Sequence, residues 1–90
     1  MTIFPFSRFI VHDRSMLPSF REGDHVLTFN WIQPAINDVI VFKEKSRFLI
    51  KRIKEIDDDL IYIAGDNKGE SAKVEPIKRG QIVGRVILKY

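Results

Sequence analysis

Apolar residues in this chain come in runs too short to sustain a helical face, and turn formers cut them at close intervals. Residues 24–31 show the pattern most clearly. In an extended segment His25, Leu27, Phe29 and Trp31 fall on one face, and Val26, Thr28 and Asn30 on the other. Residues 8–12 read as a preceding strand, 38–43 as a third, 48–56 as a long fourth, 60–64 as a fifth and 81–90 as a β-branched closing strand. A polar turn over 44–47, the Asp57-Asp58-Asp59 tip and a loop over 65–70 separate them. Pro34 and Pro76 interrupt the two stretches open to helix, leaving one turn over 76–79 before Gly80. Short strands with turns every ~8–12 residues predict an all-β fold, a small coiled and partly closed β-barrel.

Size and composition narrow the function classes. Ninety residues make a single domain over 1–90, with an expected radius of gyration of about 12 Å. The absence of cysteine excludes disulfides, thiolate metal sites and a thiol nucleophile. His12 and His25 are isolated and fit no metal-ligand motif. No metal and no cofactor are expected. The net charge of +3 is mild, and Arg8, Lys43, Lys45, Arg47, Lys51, Lys54, Lys78 and Arg79 are scattered. That favours a solvated mixed surface over a nucleic-acid stripe, though it is compatible with an anionic membrane. No run reaches the ~18 apolar residues of a transmembrane segment. Residues 1–6 are apolar and aromatic but too short for a signal peptide, and suit a short arm that touches a membrane or partner. The expectation is a soluble domain, cytoplasmic or peripheral to a membrane.

Three pieces carry chemistry. Ser15-Met16-Leu17-Pro18 places a serine beside a proline that fixes its own φ and biases Leu17 towards extended geometry. Such a serine either opens a turn or is presented at a defined angle as a nucleophile. Lys51 lies within the fourth strand, on one face with Leu49 and Ile53, while Arg52 points the other way beside Ile50 and Lys54. Lysine is normally protonated near neutrality and becomes a base only where burial strips the ammonium of solvent. The alternative is a snorkelling stem with its head in water. Gly65-Asp66-Asn67, with Ser71 beyond it, is rich in turn formers and fits a plain hairpin loop as well as a site loop.

In this order, the blocks Ser15-Met16-Leu17-Pro18-Ser19 with Gly23-Asp24, Asn37-Asp38-Val39-Ile40-Val41-Phe42, Lys51-Arg52-Ile53, Gly65-Asp66-Asn67 with Ser71, and Gly80 with Val83-Gly84-Arg85 resemble the type I signal peptidase family. That family groups Ser/Lys serine proteases with related small maturation proteases. The likeness runs from about Ile10 to Tyr90; its first block is shared with LexA-like self-cleaving repressors, and the Gly-Asp-Asn block favours the signal peptidase branch.

The resemblance implies a barrel of the signal peptidase/LexA C-terminal type. It makes Ser15 the nucleophile, with its own backbone N–H in the oxyanion hole, and Lys51 the general base. Ser71 would orient the lysine amine, Met16 would pack near the site, and Asp66 and Asn67 would shape the loop beneath it. The substrate would be an extended polypeptide laid along the strand leading into Ser15, with shallow pockets for small side chains. No nucleic-acid partner is expected, and peripheral membrane association is compatible with the family.

The chain departs from the family in three places. Asp13 stands where glycine or serine is usual, and a carboxylate there would repel an oxyanion unless it turned to solvent, for instance towards Arg14. The usual Ser-x-Asp-Ser-Arg becomes Ser71-Ala72-Lys73-Val74-Glu75, so a Lys73–Glu75 pair would carry reversed polarity. Relative to the longer enzymes the chain corresponds to a catalytic core without membrane anchor or added β domain.

Together these readings predict a Ser/Lys-dyad endopeptidase that removes a leader or signal peptide or a precursor segment. Two alternatives follow from the same residues. One is a weak or inactive protease-fold domain that binds peptides. The other is a small β-barrel nucleic-acid-binding module stacking bases on Phe9, Phe29, Trp31, Phe42, Phe48 and Tyr62.

Overall fold

The computed structural model describes residues 4–31, 33–69 and 73–90. Seven strands follow in order: β1 (Phe6–Ile10), β2 (His25–Phe29), β3 (Val39–Glu44), β4 (Arg47–Asp57), β5 (Leu60–Ala64), β6 (Glu75–Lys78) and β7 (Ile82–Lys89). They form one antiparallel sheet in the order β1-β2-β7-β3-β4-β5-β6, open at β1 and β6. The all-β expectation therefore holds, in a sheet that does not close. The radius of gyration is 12.0 Å.

The continuous apolar run of β3 explains how the sheet buries a core. Val39, Ile40, Val41 and Phe42 are all buried, which an alternating half-exposed strand would not allow. Val39 and Val41 join Val11, Met16, Phe20, Val26 and Ile50 in one cluster. Ile40 and Phe42 join Ile53, Ile61, Ile63 and Ile77 in the other. The long connection between β1 and β2 thus covers one side of the centre, and the strands from β4 to β6 curl over the other.

Two-residue connections set the register on either side of β4. Glu44 pairs with Arg47 across Lys45-Ser46, with Lys45 at φ 57°, and Asp57 pairs with Leu60 across Asp58-Asp59, with Asp58 at φ 53°. A positive φ in a two-residue loop matches the twist of the strands that it joins. Aspartate adopts it at little cost, whereas lysine is an unusual occupant.

One expectation is corrected here. The helical turn placed over 76–79 is not formed; Pro76 lies in β6, opposite Tyr62, and a short 3-10 turn occupies Arg79–Gln81. β6 is an edge strand, where proline's missing N–H breaks no inner ladder. Burial of Ile77 against Ile61 and Ile63 supplies the reason for pairing. Arg79 N–H donates to Asp59 O at 3.0 Å and Lys78 N–H to Gln81 Oε1 at 2.9 Å, which stop the strand and start the turn.

Candidate active site

The chain leaves the sheet after β1 and returns at β2, and the excursion is closed at its base. Val11 N–H donates to Asp24 O at 2.9 Å and Gly23 N–H to Val11 O at 2.7 Å. Gly23 sits at φ 93°, a left-handed conformation that glycine adopts without steric cost. Within the loop, Leu17 N–H donates to Arg14 O at 3.2 Å and Phe20 N–H to Met16 O at 2.9 Å. Met16, fully buried, and Phe20 anchor these turns in the core cluster beneath. The result holds Ser15 at the head of a turn, 6% exposed between exposed Arg14 and core Met16. The Leu17–Pro18 peptide is cis.

Asp13, two residues back in the same loop, and the loop after β5 both reach Ser15. Its backbone N–H donates to Asp13 Oδ1 at 3.1 Å, and its hydroxyl donates to the same oxygen at 2.9 Å. Asp13 therefore does not turn away to solvent, as a repelled carboxylate would. From the far side, Asn67 N–H donates to Ser15 O at 2.9 Å, and Asn67 Nδ2 donates to Arg14 O at 2.9 Å. Gly69 N–H donates to Asn67 Oδ1 at 3.1 Å, which orients that amide.

Asp66 ties the serine loop to β4. Arg52 donates to both of its carboxylate oxygens, Nε to Oδ1 at 2.9 Å and Nη2 to Oδ2 at 2.8 Å, and Ser19 Oγ donates to Oδ2 at 2.7 Å. The fork geometry suits arginine and would not survive replacement by lysine. Arg52 Nη1 also donates to Asn37 O at 2.7 Å, and Asn37 lies at φ 79°, turning its carbonyl towards the guanidinium. The hydrogen bonds from Arg52 hold the Asp66 carboxyl below the usual carboxylate range; burial opposes this, while the Ser19 hydroxyl and the charges of Arg52 and Lys54 add to it. The Arg52 guanidinium is pushed up in turn, chiefly by its hydrogen bonds to Asp66.

The structure thus gathers Asp13, Ser15, Asp66 and Asn67, with Met16 directly beneath. Lys51 is half-buried on β4, opposite Ile40 and next in the chain to Arg52. Its strand neighbours match the expected parity: Ile53 and half-buried Leu49 belong with Ile40 in one cluster, and Ile50 belongs to the other. Ser71 lies outside the described residues. Among the described residues the ion pairs are Arg52–Asp66, Arg85–Asp38 and Lys89–Asp24, so the reversed Lys73–Glu75 pair is not formed.

Arg52 and Ser19 were not singled out from the sequence for this role. The strand parity that turned Arg52 away from Lys51 was the available signal. Among the described residues no group of histidine and carboxylate side chains could hold a metal. None of their helices is long and apolar enough to cross a membrane. The aromatic residues do not make one stacking surface: Phe42 is in the core, Phe29 lies against Phe6, and Phe9 lies against Phe48.

A groove of about 930 Å³ opens beside Asp13, lined by Arg8 and Phe9 of β1 and by Arg47, Phe48 and Leu49 of β4, with the Phe9 and Phe48 rings in contact at a centroid distance of 5.2 Å. β1 is an edge strand, and β4 meets β5 only from Arg52 onwards. Both strands therefore offer backbone that the sheet does not use.

No curated protein matches the chain. A family model described as Peptidase S24-like matches residues 8–87, which takes in the second half of β1, the Ser15 loop, all of β4 and most of β7. The match lies within the LexA/signal peptidase-like superfamily and does not single out the type I signal peptidases. With this open all-β sheet and a nearly buried serine at the head of its longest connection, the chain belongs to the peptidase S24-like family.

Proposed function

We propose that this protein is a Ser/Lys endopeptidase that cleaves a leader or signal peptide, or a precursor segment, in the manner of the type I signal peptidases and their smaller relatives. The observation that carries the proposal is the clamp on Ser15: a nearly buried serine whose carbonyl is held by the Gly65-Asp66-Asn67 loop. A serine that only opened a turn would not need a second, distant loop to orient its peptide group.

In this reading Ser15 Oγ attacks the scissile carbonyl carbon and its proton passes to Lys51 Nζ. The carbonyl oxygen becomes the oxyanion, met by the Ser15 N–H; a donor so placed is worth about 3 kcal/mol. Collapse expels the amine, which takes the proton from Lys51, and leaves an ester on Ser15. Water, deprotonated by the same lysine, then hydrolyses the ester. Ser71 would orient the lysine amine. The polypeptide would lie extended in the groove between β1 and β4, pairing with their unused backbone.

The test is cleavage of a leader-bearing peptide by the wild type, Ser15→Ala and Lys51→Ala. Loss of cleavage in both variants is expected, and equal turnover by all three removes the proposal. The contact of Asp13 with Ser15 favours a second reading, a protease-fold domain that binds peptides without cutting them. It predicts peptide binding that survives Ser15→Ala, with no product from any variant.

A further inference from the structure

Ser15 has two groups that acyl transfer would use, its amide N–H and its hydroxyl, and both are directed at a single oxygen. Asp13 Oδ1 accepts from the N–H at 3.1 Å and from Oγ at 2.9 Å. An oxyanion stabilised by that N–H would have to occupy the ground the carboxylate holds. The carboxylate also carries charge of the same sign as the oxyanion, so the two repel as well as compete.

We propose that Asp13 is an internal ligand of the Ser15 oxyanion donor, keeping the serine latent until a bound polypeptide displaces the carboxylate. The inference rests on Ser15 being the nucleophile. The local spacing makes the latch reversible. A carboxylate reaching a backbone N–H two residues on closes a small ring of the kind aspartate forms readily in turns, and gives it up as readily. Asp13 is exposed, so a side-chain rotation returns its charge to water without opening the core. The residue also lines the groove beside β1, where an arriving peptide strand would meet it first. Asp13 is in these terms a positioning residue: it acts on the reaction through the two donors of Ser15.

The test uses the full chain and a serine-directed alkyl fluorophosphonate. Labelling forms a bond from Ser15 Oγ to phosphorus and breaks the phosphorus–fluorine bond; fluoride leaves and the hydroxyl proton passes to the base. Asp13→Ser is expected to label at least about tenfold faster than wild type, since the freed N–H can meet the phosphonyl oxygen. Asp13→Asn, which keeps size and loses charge, is expected to fall between them and serves if the serine variant fails to fold. Ser15→Ala, alone or with Asp13→Ser, should take no label. For the leader peptide, KM should fall in Asp13→Ser with kcat little changed, since binding no longer has to displace the carboxylate; a purely structural Asp13 would instead lower labelling and stability together.

Equal labelling of the wild type and both Asp13 variants, or slower labelling in the variants, overturns the latch and leaves the peptidase proposal standing. No label on Ser15 in any folded variant overturns the assigned nucleophile, and the latch with it.

Discussion

Asn67 donates its backbone N–H to the carbonyl oxygen of Ser15 at 2.9 Å, while its side-chain amide donates to the carbonyl of Arg14. The second contact matters as much as the first. Arg14 C=O and Ser15 N–H belong to one planar peptide group, so whatever fixes that oxygen also fixes the direction of the N–H. The loop after β5 therefore aims the donor on which an oxyanion would depend.

Asn67→Ala should accordingly damage chemistry more than folding. It removes one exposed side-chain hydrogen bond to Arg14 and one to Gly69, a loss of about 1 kcal/mol in stability. The Arg14–Ser15 peptide group then keeps the longer bond from Leu17 N–H, at 3.2 Å, on its oxygen and can tilt, and misdirected oxyanion donors commonly cost about 10²-fold in kcat. Steady-state kinetics on the leader peptide, set beside urea unfolding, separates the two effects. A variant as unstable as it is inactive would show that Asn67 acts only on the fold.

The Arg52–Asp66 fork should make this region sensitive to acid. The Asp66 carboxyl is held below its usual value by Arg52. Its contribution is therefore complete above the unfolded carboxylate value of about 3.9, and is lost as pH falls through the lower folded value. Asp66→Asn should be destabilised by about 1–3 kcal/mol at pH 7, because the guanidinium keeps its partial burial and loses its ionic partner. The gap between wild type and Asp66→Asn should close as pH is lowered from 7 through that folded value, where the native carboxyl is protonated as well. Urea titrations of both proteins across this range give the difference directly. A gap that stays constant would mean that the ionised carboxylate is not what stabilises the wild type.

Gly84 on β7 tests the packing of β7 against the end of β2. A Cβ there would run into the Asn30 side-chain amide and lie 3.1 Å from Phe29 O. Asn30 cannot easily move aside. Its Oδ1 accepts from Thr28 Oγ1 at 2.7 Å, and its Nδ2 donates to Ser7 Oγ at 2.8 Å and Phe4 O at 3.2 Å. Gly84→Ala should cost about 1–3 kcal/mol. Asn30→Ala should relieve part of that loss, so the double variant will be less unstable than the two single effects summed. Thermal unfolding of the four proteins in the cycle measures the coupling, and full additivity would show that the clash is absorbed elsewhere.

Strand positions were readable because their signals are local. Residues 60–64 form a short apolar run of strand length bounded by turn formers, and they are β5 with those same ends. The run from Val39 to Phe42 reads as strand by its length, and its lack of alternation reflects burial on both faces, a property of the assembled sheet. Pro76 misled because its local bias says turn, whereas its place at a sheet edge decides otherwise.

The site divides in the same way. Ser15, Lys51 and the Gly65-Asp66-Asn67 block stand out as residue types in order, and the parity of β4 correctly turns Arg52 away from Lys51. Which partner Arg52 finds depends on a loop 14 residues on in the chain, and that needs the curvature of the sheet. The inward turn of Asp13 is a choice between backbone donors and water that composition does not reveal.

Lys51 supplies the sharpest separation of chemistry from structure. It lies half-buried on β4 against Ile40, beside a guanidinium that is already engaged with Asp66. Under the Ser/Lys mechanism its duty is to accept a proton, which neither methionine nor arginine can do near neutrality. Methionine keeps the stem and its apolar contacts, and arginine keeps the charge. Both Lys51→Met and Lys51→Arg should therefore lower kcat by about 10²–10⁴-fold, the usual worth of a positioned general base. Because Lys51→Met keeps the apolar contacts of the stem, its unfolding curve reports what the ammonium itself adds to stability. If Lys51→Arg instead retained most of the activity, the lysine would be contributing charge and not a base. Kinetics at one pH with unfolding curves for both variants is enough to decide, because only a proton acceptor fails in the two cases for one reason.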